Sequence, residues 1–388
     1  MKLLHVTASL DPRSGGPPGV LRNLAIQQSS LGNTMEVATL DSPDAPWLSN
    51  FPCRTYPLGP AQFKYRYTPL LVPWLRENAN RFDAVIVNGI WQYSSFGTWL
   101  ALRTQTTPYF VFTHGMLDPW FKRAYPLKHL KKWMYWPWAE YRVLRDAKAV
   151  LFTSDEEKKL APRSFWLSKW HSMVVNYGTA PPQGNADDQK RNFFEQFPTL
   201  AKKRLLLFIS RIHPKKGCDI LIEAFSKLAA NNPDYHLVMA GPDQTGWKDQ
   251  LVEQAERLKI GSKITWTGML TGDMKWGALH ASDVFVLPSH QENFGIVVAE
   301  ALACGLPVLI SDKVNIWSEI EQDKAGFVAD DTATGITELL ARWFTLTDTE
   351  KTEMRSRAIQ CFENRFHIRR TAECIVDIIN SKSRPYNP

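Results

Sequence analysis

Cysteine is scarce in this chain. Five occur in 388 residues, at positions 53, 218, 304, 361 and 374, an odd and scattered set that does not make a disulfide framework. None forms a Cys-x-x-Cys pair, which excludes the common zinc and dithiol spacings and leads us to expect a reducing compartment. Asp-x-Asp is missing as well, and with it the usual acidic clamp for a metal bridging a nucleotide diphosphate. No membrane-spanning run is present: the longest nearly apolar stretch, 294–310, is interrupted by Glu300, Gly305 and Pro307. The opening Met1-Lys2-Leu3-Leu4-His5-Val6-Thr7 is too short and broken for a signal peptide, so a cytoplasmic protein is expected. Zinc-finger spacings, RNA-recognition motifs, short repeats and low-complexity tracts are absent too, and nucleic acid is not expected as a partner.

What is present fits a globular protein with two domains: 44% hydrophobic and 22% charged residues over a length too great for one typical core. A net charge of +7 leaves phosphorylated ligands or an anionic membrane surface as partners. Short apolar strands alternate with helical segments twice over. In the first half, strands are expected at 2–7, 35–39, 84–87, 109–113 and 149–153, and helices at 19–30, 69–80, 95–103 and in one long aromatic-basic region, 120–144. In the second half, strands are expected at 204–210, 235–240, 263–266, 284–287 and 308–310, and helices at 218–231, 248–259, 274–281 and 295–304. Two further helical patterns close the chain, at 348–364 and 367–381. Nearly continuous apolar strands separated by helices predict parallel sheets covered on both faces, an α/β class with two Rossmann-like domains. The Pro-, Gly- and acid-rich stretch after Gly178 reads as a linker.

The densest signal runs from Pro288 to Val308. Glu292 and Glu300 bracket the start of an expected helix, which follows an apolar strand and leaves through Gly305-Leu306-Pro307-Val308. A helix N-terminus suits a phosphate, and carboxylates accept hydrogen bonds from sugar hydroxyls, which together point to a nucleotide sugar. The same letters also fit an ordinary buried helix with a glycine stop. With the strand, the Phe294-Gly295 step and the Gly-x-Pro-Val exit, the stretch resembles the signature of retaining glycosyltransferases of family four, which have the GT-B fold.

That resemblance implies two facing Rossmann-like domains with a cleft between them and a C-terminal helix crossing back to the first. The expected division is an acceptor-binding domain at 1–180, a linker at 181–203, a donor-binding domain at 204–364 and the returning helix at 365–388. Arg211 and Lys216, in Ser210-Arg211-Ile212-His213-Pro214-Lys215-Lys216-Gly217, match the family residues that contact the pyrophosphate. Fixed cations there would stabilise charge growing on the leaving group. Read alone, they also fit a solvated basic turn. Gly15 and Gly16 match the family's Gly-Gly loop over the donor phosphates, although a plain tight turn would look the same. His114, after a strand in Thr113-His114-Gly115, matches the histidine beside the transferred sugar.

The resemblance places Glu292 beside the sugar and Glu300 on the ribose hydroxyls. The backbone N–H groups of Asn293, Phe294, Gly295, Ile296 and Val297 are expected to bind sugar and phosphate, and the backbone around Met269 to read the base. No metal and no other cofactor is expected, since Arg211, Lys216 and the helix N-terminus supply the positive charge. The implied function is a retaining hexose transfer, by default glucose from a UDP sugar, to a growing exopolysaccharide or lipid-linked oligosaccharide. A nucleotide-sugar epimerase and a non-catalytic nucleotide-sugar binder are the alternatives. The segment from Trp120 to Trp138 mixes cations with large aromatics and suits contact with the inner face of the plasma membrane, an inward-packed amphipathic helix, or a stacking platform for acceptor sugars.

Overall fold

A computed structural model describes residues 1–14 and 16–383. The chain forms two compact units, one made of Met1–Thr179 together with the segment from Ile368 onward, the other of Ala180–His367.

The first unit is a seven-stranded sheet of β1 (Lys2–Thr7), β2 (Thr34–Thr39), β3 (Thr55–Pro57), β4 (Ala84–Asn88), β5 (Tyr109–Phe112), β6 (Ala149–Phe152) and β7 (Ser172–Val174). The strands run parallel in the order β3-β2-β1-β4-β5-β6-β7. Consecutive residues of β4, β5 and β6 are all buried, so both faces of the sheet are covered, and this is why those strands read as unbroken apolar runs. The helix Ile368–Ser383 belongs to this unit: Gln28 Nε2 donates to the Ala372 carbonyl at 3.1 Å, and Thr371 Oγ1 donates to the Asn176 carbonyl at 2.6 Å.

The second unit is a six-stranded parallel sheet of β8 (Arg204–Ile209), β9 (Tyr235–Ala240), β10 (Ile264–Gly268), β11 (Val284–Leu287), β12 (Val308–Ser311) and β13 (Gly326–Ala329), in the order β10-β9-β8-β11-β12-β13. Each sheet reverses its direction of growth once, between β1 and β4 and between β8 and β11. Loops leaving the carboxyl ends of the strands diverge at such points, where open α/β sheets bind ligands.

Three strands escaped the sequence reading: β3, β7 and β13. All are edge strands of three or four residues, mostly half-exposed and too short to stand out as strands in the sequence. The expected long helical region at 120–144 is three helices, Trp120–Ala124, Pro126–Tyr135 and Glu140–Asp146. Tyr125, ahead of Pro126, is turned out of the helical region (φ −138°, ψ 65°). The N-terminal helix starts at Gly16 rather than 19, with Pro17 and Pro18 in its first turn, where a missing N–H costs nothing.

The stretch 181–203 is not an irregular linker. It holds the helix Ala186–Gln196, capped by Asn185, whose Oδ1 accepts from the N–H groups of Asp187 and Asp188 at 2.9 and 3.0 Å. This helix packs on Gly272–Ala281 so closely that a side chain at Gly277 would lie 2.2 Å from the Gln189 carbonyl oxygen. The stretch therefore belongs to the second unit.

Candidate active site

In the second unit, the chain leaves β8 through Arg211 and enters a single turn, Pro214–Lys216, whose N-terminus is capped by His213 Nδ1 accepting from the Lys215 N–H at 3.1 Å. Gly217 then takes a left-handed conformation (φ +66°), and a Cβ there would lie 2.2 Å from the Pro288 carbonyl oxygen. Only glycine lets the loops after β8 and β11 touch at this point. A hydrogen bond from the His290 N–H to the Lys215 carbonyl, 2.8 Å, locks them together. Glu292 is bolted in turn to the loop after β12: its N–H donates to the Lys313 carbonyl at 2.9 Å and its carbonyl accepts from the Asn315 N–H at 3.0 Å.

Three loops thus meet where the Lys216 ammonium donates to Glu292 Oε2. Lys216 is buried. Burial, reinforced by Lys215 and Arg211, pulls its pKa down to about 7, and the Glu292 carboxylate in contact opposes that pull. Arg211 is exposed, and its Nη1 reaches Gln244 Oε1 at 3.5 Å.

Gly295 (φ +72°) caps the helix Ile296–Ala303; its carbonyl accepts from the Val298 N–H at 2.7 Å, and the N–H groups of Ile296 and Val297 precede the first residue with an acceptor inside the helix. The Phe294 ring is buried against Phe366, with centroids 5.7 Å apart, so only its backbone faces the loop chemistry. Glu300 is buried and accepts from Lys275 Nζ at 2.7 Å, a lysine the sequence reading did not single out. Lys275 sits over the Trp276 ring, 4.4 Å from its centroid, on the helix after β10. Met269 follows β10 directly and is 66% exposed. Among the described residues no three His, Cys, Asp or Glu side chains gather to hold a metal ion.

The first unit carries the other expected residues. Gly15 lies outside the described residues. Gly16 opens the N-terminal helix with nothing within 4 Å of its Cβ position. His114 follows β5 in a left-handed conformation, φ +47°, unusual for a residue with a side chain. Its ring stacks on Phe112 (5.3 Å, 13°), and its Nε2 lies 3.4 Å from Asn88 Oδ1. Asn88 Nδ2 in turn lies 3.1 Å from His5 Nδ1. Burial lowers His114 to about 4 and His5 to about 3, so both imidazoles are neutral near pH 7.

Glu157 holds the His114 turn and was missed in the sequence. Its Oε1 accepts from Thr113 Oγ1 and the Gly115 N–H, both at 2.6 Å, and its Oε2 from the Thr153 N–H and Oγ1, both at 2.7 Å. Its Asp-Glu-Glu-Lys-Lys setting reads as an exposed helix start, and nothing in that pattern marks the third residue as buried.

His114 and Asn88 open into a cavity of about 630 Å³, which Pro17, Arg66, Trp91 and Lys132 also line. Arg66 arrives on a hairpin that the sequence reading also missed, closed by the antiparallel bridge Gln62–Tyr67. The Trp120–Trp138 segment divides in character. Trp136 is fully buried and stacked on Phe165 at 4.2 Å, whereas the helix Pro126–Tyr135 has no buried residue and exposes Leu127 and Met134, with Trp138 exposed beyond it. Among the described residues no helix is long and apolar enough to cross a membrane.

Comparison with known proteins bears on both units. Residues 15–178 match the glycosyl transferase 4-like domain, and residues 189–360 match glycosyl transferases group 1. The chain is 32% identical over 225 residues to the D-inositol 3-phosphate glycosyltransferase of Geodermatophilus obscurus, a match covering 52% of this chain and 48% of that protein. It is 31% identical over 134 residues to the protein of the same description from Rhodococcus jostii, covering 33% and 30%. The chain thus spans less than half the length of these curated relatives. Among solved structures, a glycosyltransferase from Rickettsia africae superposes with a TM-score of 0.76 at 17% identity, covering 100% of this chain and 99% of that one. Anabaena HepE in complex with UDP and glucose gives 0.74 at 19%, covering 98% and 100%. At such identities these structures speak for the fold alone.

Proposed function

The chain belongs to the family-four glycosyltransferases with the GT-B fold, and on that premise we propose that it is a retaining, metal-independent hexosyltransferase, moving glucose from UDP-glucose to a growing exopolysaccharide or lipid-linked oligosaccharide. The observation that carries the reading is the junction of three loops at Lys216 and Glu292, beside the open N-terminus of Ile296–Ala303. A diphosphate there finds a buried lysine, Arg211 and the positive end of the helix Ile296–Ala303, and it competes with Glu292 for the Lys216 ammonium. Glu292 then accepts from a sugar hydroxyl. Glu300, oriented by Lys275, accepts from the ribose, and the backbone near Met269 meets the base. The choice of UDP and glucose is supported by HepE, solved with UDP-glucose.

For the chemistry, a double displacement needs a carboxylate free to attack. Glu292 is engaged by Lys216, so we assign it to binding and give the acceptor's proton to the departing phosphate. His114, neutral, adds no opposing charge to an oxocarbenium-like centre. The first unit takes the acceptor. The exposed Leu127, Trp133, Met134 and Trp138, among Lys122, Arg123, Lys128 and Lys131, rest on the inner face of the plasma membrane, where a lipid-linked acceptor is found.

A thermal-shift panel of UDP, GDP and ADP with their sugars, each with and without EDTA, tests the donor assignment. A ligand at a hundred times its Kd stabilises by about 2.7 kcal/mol. UDP-glucose is expected to shift the melting point despite EDTA, and a panel in which no nucleotide does so removes the reading.

A further inference from the structure

The cavity of the first unit has a charge pattern that a neutral sugar does not explain. Lys64, Arg66 and Lys132 all line it. Arg66 is held by Asp41, which it meets at 3.0 Å, and by the Ala8 carbonyl at 2.8 Å. Lys132 is different. Its ammonium lies 4.4 Å from the Trp91 ring centroid and 5.8 Å from that of Phe121, and it makes no hydrogen bond or ion pair among the described residues. A lysine has three donors, and this one, half-buried on the cavity wall and taken by no protein acceptor among the described residues, presents them to whatever fills the cavity.

The nearby carboxyl does not answer it. Glu140 is fully buried and accepts from the Trp91 N–H and Ser95 Oγ, each at 3.0 Å. Burial raises its pKa to about 8, which leaves it mostly protonated at neutral pH. Asp11, the one acid on the cavity lining, is taken by Arg13 at 2.8 Å. The backbone is built to the same end: Arg66 (φ +60°), Trp91 (φ +72°) and His114 (φ +47°) all hold left-handed conformations around this one cavity. Strain gathered in this way marks positions that the surrounding structure holds for a ligand.

We infer that this cavity binds an acceptor through a phosphate group, with the Lys132 ammonium as its main contact and Lys64 and Arg66 completing a cationic wall. The inference rests on the acceptor role proposed above for this unit. The phosphate belongs either to the acceptor sugar itself or to the diphosphate of a lipid carrier; the contacts are the same. Burial also lowers the Lys132 pKa, and a bound phosphate would restore it.

Calorimetric titrations of the full chain in excess UDP test this with three probes: glucose, glucose 6-phosphate, and glucose joined through diphosphate to a short prenyl chain. At least one phosphorylated probe is expected to bind about tenfold or more tightly than glucose. Lys132→Met is expected to erase that preference while leaving the melting point and UDP affinity in place, and Lys132→Arg to keep part of it. Preference for glucose 6-phosphate assigns the phosphate to the sugar, and preference for the prenyl compound alone assigns it to a carrier. Equal binding of all three probes, or a preference that survives in Lys132→Met, overturns the inference. Should Lys132→Met unfold, the exposed Lys64→Ala decides in the same way. A separate UDP titration tells the two readings apart: loss of UDP binding with the phosphate preference intact sinks the donor assignment and not this one.

Discussion

The two units solve the same problem with different materials. Around the strand ends of the second unit, left-handed backbone is supplied by glycines: Gly217, Gly241, Gly268 and Gly295. In the first unit Gly89 and Gly115 do the same, but Arg66, Trp91 and His114 beside them take that conformation with full side chains, which costs on the order of 1–3 kcal/mol each. The charges differ as well. In the second unit, Glu292 and Glu300 are met by the ammoniums of Lys216 and Lys275. In the first, Glu157 and Glu140 are met by N–H and hydroxyl groups. Glycine marks a site whose own backbone must come close to a ligand. Strained side chains held by buried carboxyls mark one shaped from within.

The largest effect expected on this contrast is at Lys216. Lys216→Ala should lower kcat/KM for transfer about a hundred- to thousand-fold, because a fixed charge facing the leaving group is lost. A drop of less than tenfold in a steady-state assay would mean the second unit does not rely on this cation. Next is Glu140. Its folded pKa, about 8, lies above the ordinary value of 4.5. The stability it contributes is whole below pH 4.5, has fallen by about 3 kcal/mol at pH 7, and is lost as pH rises through 8. Urea unfolding of Glu140→Gln across that window should show a flatter profile than the parent; an unchanged slope would place the titration elsewhere.

A smaller loss, about 2 kcal/mol, is expected for Glu157→Gln. Each Glu157 oxygen faces a backbone N–H, so the amide NH₂ must oppose a donor wherever it points. The melting point and kcat should fall together, whereas UDP affinity in the other unit should not move. The least effect is expected at Met269, where Met269→Ala should change stability by no more than about 0.5 kcal/mol because the side chain is exposed. Its readout is nucleotide affinity, and a change shared equally by UDP, GDP and ADP would argue against a role at the base.

This contrast also explains what could be read without coordinates. Central strands were legible because burial on both faces demands unbroken apolar runs; of the four edge strands only β10 was read, and the shorter, half-exposed β3, β7 and β13 were not. The loops of the second unit announced themselves because glycine and charge are dictated by local geometry, as at Gly217 and Gly295. Lys275 stayed hidden because its partner Glu300 is 25 residues away on another helix. Glu157 and the Gln62–Tyr67 hairpin were equally hidden: one is an acid in an acid-rich helix start, the other a turn whose left-handed positions carry Phe63 and Arg66 rather than glycine. The helix Ala186–Gln196 did leave a signal, Asn185 ahead of two aspartates, which the prolines before it masked.

The carbonyl of Thr179 accepts from the N–H of Ile368 at 2.9 Å, so the chain leaves the first unit and re-enters it at a single hydrogen bond. The second unit is a continuous cassette spliced into the first. On the ribosome the cassette has all of its residues once His367 has emerged, whereas the first unit, begun at Met1, waits for the closing helix to supply Gln28 and Asn176 with their partners. The half that is translated first is therefore the half that is finished last.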